Sequence, residues 1–313
     1  MSFYGRTGIE KDSHEIYRSL RRAFQESRRR TLITPGDSQR IRPMEWRDLG
    51  FWNGHARRCW GWAFSKEIAI VAEWDSRNRR HGRPVYLLTV ADNCGAVSVD
   101  QQPDLKSIKR KLVTGVRGMN FIGMLEPAFY LNLQSGVNIQ HPRCIYWHLH
   151  ALVWGVSYKQ LREIVAELNG LGLYASIADG LDPVDVARVR QTTLPAVVAY
   201  LLKPPVNGYR ISKCDRTRNG VVVTDRDGVV LEWFRQSKAE LRMGELIQLF
   251  HATRDVTLDQ LLTSGGEGTV IARRIRRQVN EVVQMDRRHR DPYAMRKHRI
   301  QQFKKSRRLP RQH

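Results

Sequence analysis

An α+β architecture, a central antiparallel sheet with flanking helices, is what this sequence predicts, with basic helical extensions at its ends. Three observations carry that expectation. Runs of β-branched and aromatic residues recur between positions 84 and 155, apolar stripes at helical spacing alternate with them, and arginine crowds both ends of the 313-residue chain.

The elements follow in order. Residues 85–91 are apolar and β-rich and end in the turn chemistry of Asp92-Asn93, which predicts a buried strand. From Leu105 to Met119, Leu105, Ile108, Leu112 and Val116 fall on one helical stripe. Residues 120–126 read as a second strand, and 129–133 as a separate extended segment closed by a turn at Ser135-Gly136. Residues 143–155 are the most strand-like of all. Ser157 has the character of an N-cap for a helix through Leu161, Ile164, Val165 and Leu168, stopped by Asn169-Gly170. Residues 174–178 read as another strand, and 195–203 as a helix that Pro204-Pro205 ends. Further on, 221–224 and 229–234 flank Asp227-Gly228 as a hairpin, 238–251 reads as a helix, and 257–262 as the start of another. Ser264 to Gly268 has the composition of a hinge.

Charge sets the partner class. Lys and Arg number 53 against 31 Asp and Glu, a net charge of +22, and such an excess predicts a polyanion: nucleic acid first, a membrane surface second. The hydrophobic share of 41% supports a real core. No apolar run is long enough to span a bilayer and Met1 to Arg6 lacks a signal-peptide core, so a soluble, cytoplasmic protein without a membrane partner is expected. Cys59, Cys94, Cys144 and Cys214 are scattered with no Cys-x-x-Cys pair, which argues against a zinc ribbon or a disulfide framework.

Basic segments flank the strand-rich region. Residues 14–30 set Ile16, Leu20 and Phe24 among six arginines, either an arm for nucleic acid or a solvated helix capping the domain. Residues 33–84 hold Trp46, Trp52, Trp60, Trp62 and Trp74, which serve either as stacking platforms or as core. Residues 270–313 read as a basic helix and tail suited to phosphate. The divisions are 1–83 (a basic, Trp-rich extension), 84–210 (the core), 211–265 (a hairpin and helical accessory region) and 266–313 (the basic C-terminal part).

Chemistry concentrates in residues 143–155. On a strand, His148 and His150 point the same way while Trp147, Leu149 and Ala151 point the other. Two imidazoles about 7 Å apart on one face can grip a divalent cation; the plainer alternative is two half-buried histidines in a polar network. On the helix predicted further along, Tyr200 and Lys203 are three apart and share a face.

A strand with Thr89, then His148-Leu149-His150, then Tyr200-Leu201-Leu202-Lys203 resembles the motif order of the HUH superfamily of single-strand DNA endonucleases, which includes rolling-circle replication initiators, conjugative relaxases and related transposases. The resemblance covers roughly residues 84–205. It implies a ferredoxin- or RRM-like core, Mg²⁺ or Mn²⁺ held by His148, His150 and a third ligand, and Tyr200 as nucleophile. Glu126, a carboxylate ending an apolar strand, is the candidate third ligand, with His141 the alternative. The stretch between Glu126 and the histidines, and a first motif without a run of threonines, depart from the family pattern.

The implied reaction is origin-specific nicking and strand transfer. Tyr200 attacks a phosphorus to give a 5′-phosphotyrosine and a free 3′-OH, and Lys203 offsets the charge that builds. Tyr209 lies beyond the double proline, which favours a single-tyrosine enzyme. No Gly-x-x-x-x-Gly-Lys-Ser/Thr loop exists, so unwinding falls to a host helicase and the host replication machinery, and a compact plasmid or phage initiator is favoured. The expected substrate is single-stranded or hairpin origin DNA. A transposase or mobilisation relaxase, a hydrolase using water, and a basic DNA- or RNA-binding protein without cleavage activity are the competing readings.

Overall fold

The computed structural model describes residues 4–41, 50–73, 84–131, 141–178, 181–205, 207–215, 217–218, 221–225, 227–230 and 232–290. In chain order, helices α1 (Tyr4–Glu26), α2 (Pro35–Arg40) and α3 (Gly54–Glu73) precede strands β1 (Val85–Val90) and β2 (Ala96–Ser98). Then come α4 (Leu105–Leu112), β3 (Asn120–Leu131), β4 (Arg143–Trp154), α5 (Tyr158–Gly170), β5 (Val184–Val189) and α6 (Leu194–Leu201). The remainder is β6 (Asn207–Asp215), the short pair β7 (Thr217–Arg218) and β8 (Val221–Val222), β9 (Glu232–Glu240), α7 (Met243–Thr253), α8 (Leu258–Leu261), β10 (Leu262–Gly265) and α9 (Gly268–Arg290).

The fold is α+β, and the sheet order is β5-β1-β4-β3-β6-β9. Strand β4 is central and almost wholly buried. Along one edge it pairs first with β2 and then with β1; its other edge is taken by β3 over twelve residue pairs. Strand β3 in turn meets β10 at residues 121–124 and β6 at residues 129–130. The β3–β6 contact is parallel, so the sheet is mixed rather than purely antiparallel.

Strand β4 presents Cys144, Tyr146, His148, His150, Leu152 and Trp154 to one face. Leu152 and Trp154 belong to the main core, while Cys144 and Tyr146 belong to a smaller cluster with Ala128, Tyr130 and Ile211. The two histidines occupy the polar interval between these apolar patches. Helix α6 lies over that interval, and α1 and α3 pack on α6. The apolar side of α1, with Ile16, Leu20 and Ala23 fully buried, joins the same core.

Several boundaries differ from the sequence reading. Residues 120–131 form one strand, although Pro127 lies inside it. Proline lacks an N–H, and residues 125–128 border neither β10 nor β6, so no ladder bond is lost on that edge. Residues 174–178 form no strand: Ala175 N–H donates to Asp92 Oδ2 (2.9 Å) and Ser176 Oγ bonds the Ala178 carbonyl (2.7 Å), holding a loop. The edge strand is β5, where valine and charge mix on both faces and hide the period. Residues 238–240 belong to β9, because a nine-pair ladder with β6 overrides their helix propensity. Thr224 and Val230 do bridge across the Asp227-Gly228 turn as the hairpin requires, while 232–234 belong to the longer β6–β9 ladder. Helix α4 stops at Leu112, α1 at Glu26, and α6 at Leu201.

Helix α3 gave no stripe in the sequence because it is buried on most sides. Trp52 and Trp60 are core, Trp52 Nε1 donating to Thr253 Oγ1 at 2.8 Å, whereas Trp62 is exposed beneath the Lys66 ammonium. Trp46, Trp74, the turn at Ser135-Gly136 and the tail after Arg290 lie outside the described residues. Ser157 does cap α5, in a reciprocal box with Gln160, and none of the four cysteines is in a disulfide.

The expected hinge at residues 264–268 is instead pinned. Strand β10 pairs with β3, and a Cβ on Gly268 would collide with the Phe121 carbonyl oxygen, so the start of α9 sits directly on the β3 backbone. Gly268→Ala is expected to destabilise the fold by about 1–3 kcal/mol in urea denaturation, since backbone must shift to admit the methyl. An unchanged midpoint would show that the segment yields like a hinge.

Candidate metal centre

The site is assembled by strand register. Glu126 on β3 faces His148 on β4, and Thr89 on β1 faces His150 two residues along, so neighbouring rows across three strands carry the polar groups. His148 Nε2 and His150 Nε2 approach to 2.9 Å, and Glu126 Oε2 lies 3.2 Å from His150 Nε2. Glu126 and His150 are buried, and His148 is partly exposed. Helix α6 brings the Tyr200 hydroxyl to 3.2 Å from His150 Nε2. Lys203 lies just past the end of that helix, where its N–H bonds the Tyr200 carbonyl; its ammonium reaches Glu126 Oε1 at 2.9 Å and stands 3.6 Å from the Tyr200 ring centroid. All five residues singled out from the sequence therefore meet at one place. His141 lies ahead of β4, outside the Glu126–His148–His150 group.

The outer contacts orient the imidazoles. His148 Nδ1 faces the Tyr146 carbonyl at 3.3 Å, an acceptor only, so Nδ1 carries the proton and Nε2 keeps its lone pair. His150 Nδ1 faces Thr89 Oγ1 at 3.0 Å, which can accept in the same sense and leave the second Nε2 free. In that tautomer two lone pairs and a carboxylate oxygen converge on one point, with the Tyr200 hydroxyl placed to donate to His150 Nε2. Such a convergence is repulsive without a positive charge between the atoms.

This donor set fits a metal ion. The three ligand atoms lie within 4.8 Å of one another. Bonds of about 2.1 Å to an octahedral ion set adjacent ligands about 3.0 Å apart, close to the separations of 2.9 and 3.2 Å seen here. Electrostatics agree with the geometry. Burial alone would raise the Glu126 carboxyl, but neighbouring His150, His148 and Lys203 outweigh it and hold the group at about 2. Burial, reinforced by His150, pushes His148 down to about 4, so it is a neutral ligand at ordinary pH. Burial works to lower the Lys203 pKa, yet Glu126 and Tyr200 raise it on balance, and Lys203 stays an ammonium.

Comparison with protein-family models, with curated proteins and with solved structures gives no match for the chain. The site therefore stands on its own geometry.

Two contacts escaped the sequence reading. The bond from Thr89 to His150 depends on strand register, which no local pattern encodes. Tyr209, set aside because it follows the double proline, returns on β6 beside β3 and stacks on Tyr130 with ring centroids 5.4 Å apart; burial raises its hydroxyl pKa.

Removing an outer-shell partner of a metal-bound histidine typically weakens binding by about 10–100-fold. Thr89→Val is therefore expected to lower Mn²⁺ affinity by at least about tenfold in calorimetric titration, with Thr89→Ser retaining most of it. Equal affinities for all three proteins would remove Thr89 from the site.

Proposed function

We propose that the chain is a metal-dependent single-strand DNA endonuclease that works through a phosphotyrosine on Tyr200, nicking and transferring strands at an origin to start rolling-circle replication. The observation that carries this reading is the placement of a tyrosine hydroxyl, on a separate helix, 3.2 Å from a His–His–Glu donor set. A structural metal site has no need of that hydroxyl, whereas covalent cleavage of a phosphodiester requires a nucleophile beside the ion.

Charge balance supports a phosphate substrate. The Glu126 carboxylate and the Lys203 ammonium neutralise one another, and both histidine ligands are neutral in the bound form. A divalent ion therefore leaves the site with surplus positive charge, which suits a phosphodiester anion. Mn²⁺ or Mg²⁺, when bound by Glu126, His148 and His150, polarises the non-bridging phosphate oxygens and offsets charge in the transition state.

The chain's own groups do the rest. Tyr200 is 38% exposed, so an incoming strand can reach the residue, and its hydroxyl, beside His150 Nε2, gives up its proton to water as it attacks. The phenolate oxygen forms a bond to phosphorus as the bond from phosphorus to the 3′-oxygen breaks. That oxygen takes a proton from water and departs as a 3′-OH, while the 5′-phosphate remains on Tyr200. Attack by a later 3′-OH runs the same step backwards and reseals a strand. Lys203, held as an ammonium against the Tyr200 ring, cannot accept the proton; it acts as a fixed positive charge beside the developing anion.

The test is incubation with Mn²⁺ and labelled single-stranded and hairpin oligonucleotides, followed by denaturing electrophoresis and mass spectrometry of any adduct. A covalent adduct on Tyr200 is expected, lost in Tyr200→Phe, in His148→Ala and with chelator, while Tyr200→Phe still binds DNA. Cleavage that survives Tyr200→Phe would assign the nucleophile to water and overturn the phosphotyrosine route. Lys203→Met is expected to slow adduct formation by about a hundredfold, the usual scale for loss of one preorganised electrostatic contact. An unchanged rate would leave Lys203 only its ion pair with Glu126.

A further inference from the structure

A second basic feature lies on the far side of the sheet. Tyr158 opens α5 next to its Ser157 cap, and its ring stacks on Tyr86 of β1 with centroids 5.5 Å apart and planes 29° apart. Arg188 of β5 sits opposite Tyr86 in the ladder, and its guanidinium stands 4.1 Å from the Tyr158 ring centroid. Two concavities of about 400 and 480 Å³ adjoin here and share Tyr158, Lys159 and Arg188; the second also reaches Arg162. Arg188 and Arg162 make no ion pair or hydrogen bond among the described residues, and Lys159 is offset only by an exposed Glu163 at 4.0 Å.

The position is distinct from the metal centre. Thr89 points with His150 to one face of the sheet, so Tyr86, three residues earlier, points to the other. Three strand residues amount to about 10 Å along β1, with the thickness of the sheet between the two places.

We infer that this groove is a second nucleic-acid contact, binding the sugar–phosphate backbone of single-stranded DNA through Arg188, Arg162 and Lys159 over the apolar wall of Tyr158. A guanidinium resting on an aromatic ring is already ordered while its N–H edge stays free, so little entropy is lost when it takes a phosphate in bidentate fashion. The net charge of +22 matches the same occupant. The inference rests on the reading of the chain as a DNA-binding protein and not on cleavage at Tyr200.

The experiment uses the full chain carrying Tyr200→Phe, in chelator, so that no cleavage enters the readout. Binding of a fluorescent oligo-dT of about thirty nucleotides, long enough to span more than one contact, is followed by anisotropy over a series of salt concentrations. Arg188→Ala is expected to weaken binding about fivefold or more and to lower the slope of log K against log salt by about 0.7, one phosphate contact on a single strand. Arg188→Lys should restore the slope but only part of the affinity. Tyr158→Ala should weaken binding without changing the slope. If Tyr158→Ala does not fold, judged by thermal melting, the exposed Arg188 variants decide alone. Unchanged affinity and slope in Arg188→Ala overturns the inference. So does a loss of poly-glutamate binding in Arg188→Ala with DNA binding intact, which would make the groove a site for acidic peptide. An effect of Arg188 here, with no adduct on Tyr200 when the unmutated chain is incubated with Mn²⁺ and oligonucleotides, would keep this groove and sink the nuclease reading; the reverse pattern would do the opposite.

Discussion

Two imidazole nitrogens 2.9 Å apart, both turned inward beside a buried carboxylate, are the constraint around which the rest of this molecule is arranged. Left to themselves these atoms repel, and burial sharpens the penalty. The chain accepts the arrangement because every outer contact enforces it. Thr89 and the Tyr146 carbonyl hold the rings from behind, and Lys203 holds the carboxylate from the side. A site fixed from three directions changes little when an ion enters, so binding energy is not spent on rearrangement.

The sheet explains how such a cluster survives inside an apolar core. The row of side chains on β4 passes from one hydrophobic cluster to another, and the histidines fall in the gap. Glu126 stands opposite His148 in the β3–β4 ladder, so its side chain leaves the sheet on the same face as the imidazoles. Polarity and topology coincide at one point, and the burial of the surrounding strands supplies the stability that the cluster itself withholds.

Much of the site was legible in the sequence because its parts are local. His148 and His150 announce themselves by the two-residue period of a strand, Tyr200 and Lys203 by the turn of a helix, and Glu126 by being a charge at the end of an apolar run. What the sequence concealed was set by pairing at long range. Thr89 matters only through the β1–β4 register. Strand β5 lies at a sheet edge and mixes valine with charge on both faces. Residues 238–240 favour a helix until β6 offers them a ladder. Helix α3 is covered on too many sides to show a stripe, so its tryptophans left a stacking surface open beside the favoured reading as core. In each case tertiary contact outweighed a local signal.

The fully buried Arg57 on α3 donates to the carbonyl of Leu202, the residue between the helix bearing Tyr200 and Lys203 itself. Its guanidinium also rests on the Phe51 ring, 4.4 Å from the centroid. The N-terminal helical region thus grips the backbone of the very turn that presents Tyr200 and Lys203. A change in the seating of α3 would therefore carry straight to Tyr200 while leaving the histidines, which rest on β4, in place.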